Sequence, residues 1–286
     1  MSELENEAEF EHRPSSGRKR LLRRVLAADP SLEYMVYVPS TGGTDAPVVV
    51  SVHGISRNAD EHARLLSAYC EIHGAVLVAP LFDLDQYPDY QRLGRTGRGK
   101  RADLALNLIL GEVSAATGAQ AGRFNLFGFS GGAQFAHRYA MAHPHRVSRA
   151  VFASAGWYTM PDTTRRFPRG TRQSKHMTGV RFDPEEFLEV PMTVLVGSED
   201  VSENGLRRGP RLDAEQGVSR VARARRFVEA MRECAAAHYL ESKCEYEEVK
   251  NCDHSFKRSI LRSGLGERVF AAFFGEASQD GRIDSA

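Results

Sequence analysis

The chain has 286 residues, of which 42% are hydrophobic and 26% are charged, as is typical of a globular protein. Lysines and arginines number 38 against 37 aspartates and glutamates, and this net charge of +1 argues against a nucleic-acid or membrane partner. A chain of this length fits one α/β domain, which can bury a core without disulfides or a structural metal.

The cysteines and the N-terminal region bear on the cellular compartment. No C-x-x-C spacing occurs among the four cysteines, Cys70, Cys234, Cys244 and Cys252. We therefore expect reduced thiols and no zinc site. Cys244 and Cys252 flank one predicted strand and could pair only if their geometry permits. No basic start followed by an apolar run marks a secretory signal, and no segment has the apolar length of a membrane span. We therefore expect a cytoplasmic protein.

The first forty residues predict a tail and a hairpin. Residues 1–17 are polar and lack periodicity, so we expect a flexible tail there. Two short apolar runs, 25–28 and 32–38, are separated by the turn signal Asp29-Pro30-Ser31 and predict an antiparallel hairpin at a sheet edge. The basic cluster at 18–24 is interpreted as the solvated flank of the first strand, with a contact site as the alternative.

From residue 48 onward, apolar β-branched runs alternate with stretches that have apolar residues at helical spacing. The predicted strands are 48–52, 75–79, 124–127, 150–153, 192–196 and 246–249. The predicted helices are 59–73, 102–116, 131–142, 218–237 and 257–274. This order predicts an α/β fold with a mostly parallel twisted sheet, right-handed crossovers and helices on both faces. We expect one domain over residues 18–276 and a frayed tail at 277–286.

The pentapeptide Gly-Phe-Ser-Gly-Gly at residues 128–132 has the pattern G-x-S-x-G. The pattern alone is weak, because a plain turn would look the same, but here it joins a predicted strand to a predicted helix. A sharp strand-to-helix turn strains the backbone at its central residue and leaves little room for side chains two positions away, which glycine at 128 and 132 provides. We interpret Ser130 as a nucleophile whose hydroxyl lies at a helix N-terminus, where developing negative charge is stabilised.

A second signal is His53-Gly54-Ile55, at the end of the strand 48–52. Acyl transfer needs two hydrogen-bond donors for the oxyanion of the tetrahedral intermediate. The backbone N–H groups of Ile55 and Gly131 are the predicted donors. The alternative is a tight turn at the strand end with no catalytic duty.

The base and the acid are expected on loops at the same edge of the sheet, where such folds place their chemistry. Asp200 follows one predicted strand and His254 follows the last. His254 is the predicted general base and Asp200 the predicted acid that orients it, with Glu199 as the competitor. The chain order Ser130, Asp200, His254 agrees with a strand-to-helix nucleophile elbow.

From about residue 24 to 274, these motifs in this order resemble the α/β-hydrolase superfamily. Within it, the His53-Gly54 turn and the loop layout are similar to polyhydroxybutyrate-depolymerase-like and feruloyl-esterase-like esterases. The resemblance implies the α/β-hydrolase fold and a serine hydrolase.

Two loops are expected to shape the pocket. Residues 81–100 include Tyr87 and Tyr90, and the segment 157–184 begins with Trp157 and is a candidate small cap. These three aromatic residues are the candidate substrate-binding residues. The second loop carries six basic and two acidic side chains, which form either a solvated surface or a positive rim that attracts anionic substrates.

The sequence therefore predicts a serine-dependent hydrolase of small-molecule carboxylic esters that forms an acyl-enzyme and uses no cofactor or metal. A thioesterase or a small serine peptidase would use the same triad. A hydrolase-fold protein that only binds its ligand is the alternative from another class.

Overall fold

An eight-stranded sheet runs through the computed structural model, which describes residues 20–201, 203 and 205–275. The strands are β1 (Arg20–Leu26), β2 (Asp29–Val38), β3 (Pro47–Val52), β4 (Val76–Leu81), β5 (Gln120–Phe129), β6 (Val147–Ala153), β7 (Met192–Gly197) and β8 (Cys244–Val249). Their spatial order is β1-β2-β4-β3-β5-β6-β7-β8. The β1–β2 hairpin is antiparallel, β2 also runs antiparallel to β4, and all other pairs are parallel. The predicted fold class is confirmed.

The β-branched run of β3 explains how the sheet supports two cores. Its side chains alternate across the sheet, so Val48 and Val50 enter one apolar cluster while Val49 enters the other. All three are at most 1% exposed, as expected for a parallel strand that is covered on both faces.

Helices cover both faces of this sheet. The helices are α1 (Ala59–Ile72), α2 (Ala102–Thr117), α3 (Gly131–Ala142), α4 (Pro184–Phe187), α5 (Pro210–Gln216), α6 (Arg220–Ala237), α7 (Phe256–Arg262) and α8 (Leu265–Phe274). Apolar residues of α2, α3 and α6 join the cluster of Val48, and those of α1, α7 and α8 join the cluster of Val49.

The closing helix differs from the prediction, because the stretch 257–274 forms two helices. Gly264 separates them with a φ of 67°, a left-handed conformation that glycine adopts without a steric penalty. The short helices α4 and α5 were not predicted, and both begin with a proline, which fits the first turn of a helix.

The segment 157–184 packs against the domain. Met160, Phe167 and Phe182 are buried in the same apolar cluster as α3, and His176 accepts a backbone hydrogen bond from Thr96. The predicted tails at 1–17 and 277–286 lie outside the described residues.

All four cysteines are free thiols, so Cys244 and Cys252 do not pair. Within the described ranges, no helix is both long enough and apolar enough to span a bilayer.

Candidate active site

Ser130 lies in the sharp turn between β5 and α3. Its φ of 54° and ψ of −112° are strained for a residue with a side chain, and its N–H donates to the Ala153 carbonyl at the end of β6. A β-carbon on Gly128 would collide with the backbone of Gly132, and one on Gly132 would collide with the Val52 carbonyl. The two glycines therefore allow α3 to approach β3 and β5 closely, and the Ser130 hydroxyl is held at the start of the helix.

Ser130, His254 and Asp200 form a continuous line of hydrogen bonds. The Oγ atom of Ser130 is 2.9 Å from Nε2 of His254, and Nδ1 of His254 is 2.8 Å from Oδ2 of Asp200. Because an ionised carboxylate only accepts hydrogen bonds, the ring proton belongs on Nδ1. Nε2 is then free to accept the proton of the Ser130 hydroxyl.

Asp200 is 1% exposed, and its second oxygen is also satisfied. Nη1 of Arg220 donates to Oδ1 of Asp200 at 3.1 Å. The exposed Glu199 instead uses its backbone N–H to bond the Cys252 carbonyl. The carboxylate that contacts His254 is therefore that of Asp200.

Arg220 was missed in the sequence. It is the first residue of α6 and is 2% exposed. A cation is disfavoured at a helix N-terminus, so an arginine at that position was the available signal that a carboxylate lies nearby. Burial lowers the pKa of Arg220, whereas the charge of Asp200 raises it.

The turn after β3 is fixed through its carbonyls. His53 is buried, accepts the Phe82 N–H at Nε2 and donates from Nδ1 to the Gly54 carbonyl at 2.8 Å. Burial lowers the pKa of His53 to about 4, so the ring is neutral. Because the N–H of a trans peptide points opposite to its carbonyl, the Ile55 N–H points away from His53.

Gly131 supplies the other predicted donor, since the first N–H groups of a helix have no intrahelical acceptor. Its missing side chain leaves space at the site: a β-carbon there would lie 2.5 Å from the Tyr90 hydroxyl and 2.8 Å from Nε2 of Gln91. Gly54 is close by as well, with its would-be β-carbon 3.5 Å from Cβ of Ser130. The predicted donors thus lie on two turns that meet at Ser130.

An open cleft of about 530 Å³ leads to Ser130 and His254. Its apolar wall includes Ile55, which is 60% exposed, and Phe256. Its charged lining residues are Glu61, Arg220 and Lys257. Within the part of the chain that the structure describes, no group of three or more histidine, cysteine or acidic side chains is placed to hold a metal ion.

The three aromatic candidates for substrate binding are buried, and none of them is among the described residues that line this cleft. Tyr90, 1% exposed, donates its hydroxyl hydrogen to the His53 carbonyl and so supports the turn after β3. Tyr87, also 1% exposed, packs on Phe82. Trp157, 4% exposed, stacks on a guanidinium. The structure brings Tyr90 next to Gly131 and places Tyr87 in the core.

The basic loop does not form a positive rim at this cleft. Among the described residues that line it, none comes from 157–184. Half of the six basic side chains of the loop form ion pairs: Arg165 and Arg169 both contact Glu215, and Arg181 contacts Asp183. The loop runs over the flank of α5 and α6, where Arg165 and Arg169 serve as ion-pair partners.

No family model and no curated protein matches the sequence. Among solved structures, the chain is similar to the poly(3-hydroxybutyrate) depolymerase LpqC from Bordetella parapertussis, with a TM-score of 0.75 and 26% identity over 95% of this chain and 92% of that chain. It is similar to poly(aspartic acid) hydrolase-1 from Sphingomonas sp. KT-1, with a TM-score of 0.71 and 26% identity over 83% of this chain and 93% of that chain. An S-formylglutathione hydrolase from Agrobacterium tumefaciens shares the fold at 16% identity, with a TM-score of 0.53 over 84% of this chain and 89% of that chain.

The close approach of α3 to β3 gives a stability prediction. Gly132→Ala forces a methyl group against the Val52 carbonyl, so we expect a loss of about 3 kcal/mol or more in the free energy of unfolding. Gly111→Ala, on the exposed face of α2 with open space around it, is the matched control and should stabilise by about 0.5–1 kcal/mol. Urea unfolding followed by circular dichroism measures both, and a neutral Gly132→Ala variant would contradict the packing argument.

Proposed function

The chain is an α/β-hydrolase-fold protein similar to poly(3-hydroxybutyrate)-depolymerase-like serine hydrolases, and we propose that it hydrolyses carboxylic esters through an acyl-enzyme on Ser130. The observation that carries the proposal is the line of hydrogen bonds from Ser130 Oγ through His254 to the buried Asp200, with spacings of 2.9 and 2.8 Å. The hydrolases among its structural neighbours support the reaction class.

In the proposed first half-reaction, Oγ of Ser130 attacks the ester carbonyl while Nε2 of His254 takes the hydroxyl proton. The carbonyl oxygen becomes an oxyanion and accepts hydrogen bonds from the N–H groups of Ile55 and Gly131. Asp200 stabilises the imidazolium that forms. When the tetrahedral intermediate collapses, the ester bond breaks and the imidazolium gives its proton to the departing alcohol.

In the second half-reaction, water attacks the acyl group on Ser130. Nε2 of His254 takes a proton from the water and returns it to Oγ of Ser130, so the carboxylic acid leaves and the enzyme is regenerated. The open cleft supports this step because it gives water a path to His254.

A second candidate is hydrolysis of an amide bond in an acidic polymer. It is favoured by the likeness to poly(aspartic acid) hydrolase-1, whose name gives its substrate, and by the exposed Lys257 that lines the cleft. The two candidates share the machinery and differ in the leaving group that His254 protonates. Comparison of an ester with the amide of the same acyl chain distinguishes them.

The nucleophile is tested by Ser130→Ala. We expect turnover of a p-nitrophenyl ester to fall by ~10⁶, as for other triads that lose a member, and covalent labelling by a fluorophosphonate to disappear. The unfolding midpoint should stay near that of the wild type, because only one hydroxyl is removed. If the wild type is labelled but the Ser130→Ala variant keeps a tenth of wild-type turnover, Ser130 is not the nucleophile. If the wild type is not labelled, the result favours a protein that only binds its ligand.

The acid is tested by comparing Asp200→Asn with Glu199→Gln. An amide at position 200 disfavours the His254 tautomer with its proton on Nδ1, so we expect kcat to fall by about 10⁴. Glu199→Gln is the matched control, because the exposed neighbour loses the same charge and should keep most activity. Steady-state kinetics on one ester decide the point, and reversed penalties would assign the acid to Glu199.

Arg220 is proposed to position Asp200 against His254. Its Nη1 donates to Oδ1 of Asp200 from the first turn of α6. Arg220→Gln weakens this charge-assisted hydrogen bond, so kcat should fall by about tenfold while KM changes little, and Arg220→Lys should restore most of kcat. A fall in kcat that lysine does not rescue, together with an equal loss of folded protein in urea unfolding, would mean that Arg220 only supports the fold.

A further inference from the structure

Two guanidinium groups contact the indole ring of Trp157. The Cζ atom of Arg138 is 4.2 Å from the centre of the indole ring, and that of Arg207 is 5.7 Å away. Arg138 is fully buried, whereas Arg207 is exposed. An arginine on an aromatic face keeps its N–H groups in the plane of the guanidinium, where they are available to a carboxylate.

The backbone around Trp157 is held rigidly. The Gly156 carbonyl accepts from Arg223 on α6, and Gln216 on α5 bonds both the N–H and the carbonyl of Tyr158. The Thr159 N–H donates to His137 on α3. Three helices thus fix the indole ring before any ligand arrives, which reduces the entropy cost of ordering the site on binding.

The charge around this ring is strongly positive. Arg138 donates only to neutral oxygens, those of Gln91, Gln134 and Thr159, and its Nη2 has no hydrogen-bond partner among the described residues. Asp89 is the nearby carboxylate, and it is already shared by two other arginines. Within the described ranges, neither Arg138 nor Arg207 forms an ion pair, so an arriving anion would meet uncompensated positive charge.

This positive cluster borders the site of Ser130. Trp157 lies four residues beyond Ala153, the end of β6, whose carbonyl binds the Ser130 N–H. Gly205 lines the cleft two residues before Arg207. On the other side, Gln91 places its side-chain nitrogen beside Gly131 and gives its carbonyl to Arg138.

We propose that Arg207, which contacts the Trp157 ring near Arg138, binds a carboxylate on the substrate, so that the site takes esters of dicarboxylic acids. The proposal rests on the proposed hydrolase function and names its substrate class. It assigns the binding of anions to this cluster, since none of the described residues that line the cleft comes from the loop 157–184.

The test compares two esters of equal size, monoethyl adipate and its neutral analogue in which the free carboxyl is a primary amide. The wild-type enzyme should prefer the carboxylate ester in kcat/KM by about tenfold or more, as expected for a charge-assisted hydrogen bond. Arg207→Gln should remove most of this ratio, and Arg207→Glu should invert it. Arg211→Gln is the matched control, because it removes the same charge from an arginine that is 71% exposed and paired with Glu215, and it should leave the ratio unchanged.

The outcomes separate the two proposals. Fluorophosphonate labelling of Ser130 reports the hydrolase function independently of the ester pair. A labelled enzyme with equal kcat/KM for both esters, or with the same ratio after Arg207→Gln as before it, overturns the carboxylate site alone. If neither ester turns over, the test is protection of Ser130 from fluorophosphonate labelling. In the wild type, adipate should slow labelling more than adipamide does, and Arg207→Gln should lose this difference. If adipate slows labelling equally in the wild type and in Arg207→Gln, the carboxylate site is overturned. An unlabelled wild type removes the hydrolase function itself.

Discussion

The rest of the site depends on the contact between α3 and the end of β3. Because Gly132 has no side chain, the helix can press against the Val52 carbonyl, and this brings the His53-Gly54 turn alongside Ser130. Ser130 and the turn that carries one of the proposed oxyanion donors, about 75 residues apart in the chain, are thereby fixed by backbone contact. Side chains could supply the same donors, but each would have to lose rotamer freedom on ordering. Backbone donors that are already buried in the fold carry no such cost.

Burial of Asp200 imposes the second constraint. An ionised carboxylate out of water is stable only when its oxygens are hydrogen bonded and its charge is compensated. His254 satisfies one oxygen and Arg220 the other, so the carboxylate has no freedom to rotate away from the imidazole. The arginine is itself anchored in the long helix α6, so the orientation of His254 depends on the packing of that helix on β7 and β8. The core of the domain thus holds the three hydrogen-bonded side chains in place.

The sequence predicted the parts of this arrangement that depend on local pattern. The bounds of α3 were predicted to the residue, because glycines at 128 and 132 and the apolar strand before them leave few other structures for residues 124–142. Ser130, Asp200 and His254 were placed together because strand ends in a parallel sheet meet at one edge. Arg220 was missed because its role comes from a contact across 20 residues that no local pattern records.

For the basic loop, the sequence suggested a feature that the structure does not show, a positive rim at the cleft. Counting charges in 157–184 gave an excess of positive charge, but the partner Glu215 lies on α5, outside the window that was counted. Arg207 and Arg138 were not considered together, since they lie 69 residues apart in sequence and meet only through Trp157. Electrostatic predictions from sequence windows fail in this way whenever tertiary contacts pair the charges.

Environment also separates His254 from the other histidines near the site. His53 and His137 each donate from one ring nitrogen to a carbonyl and accept an N–H at the other, which requires a neutral ring. Burial lowers the pKa of His53 to about 4, and it lowers those of His62 and His137 well below their usual value. These neutral rings therefore connect, through hydrogen bonds, the elements that surround Ser130. His254, 22% exposed, bonds instead to the Asp200 carboxylate at Nδ1 and lies 2.9 Å from Ser130 Oγ at Nε2, so its two ring nitrogens face side chains and not the backbone of those elements.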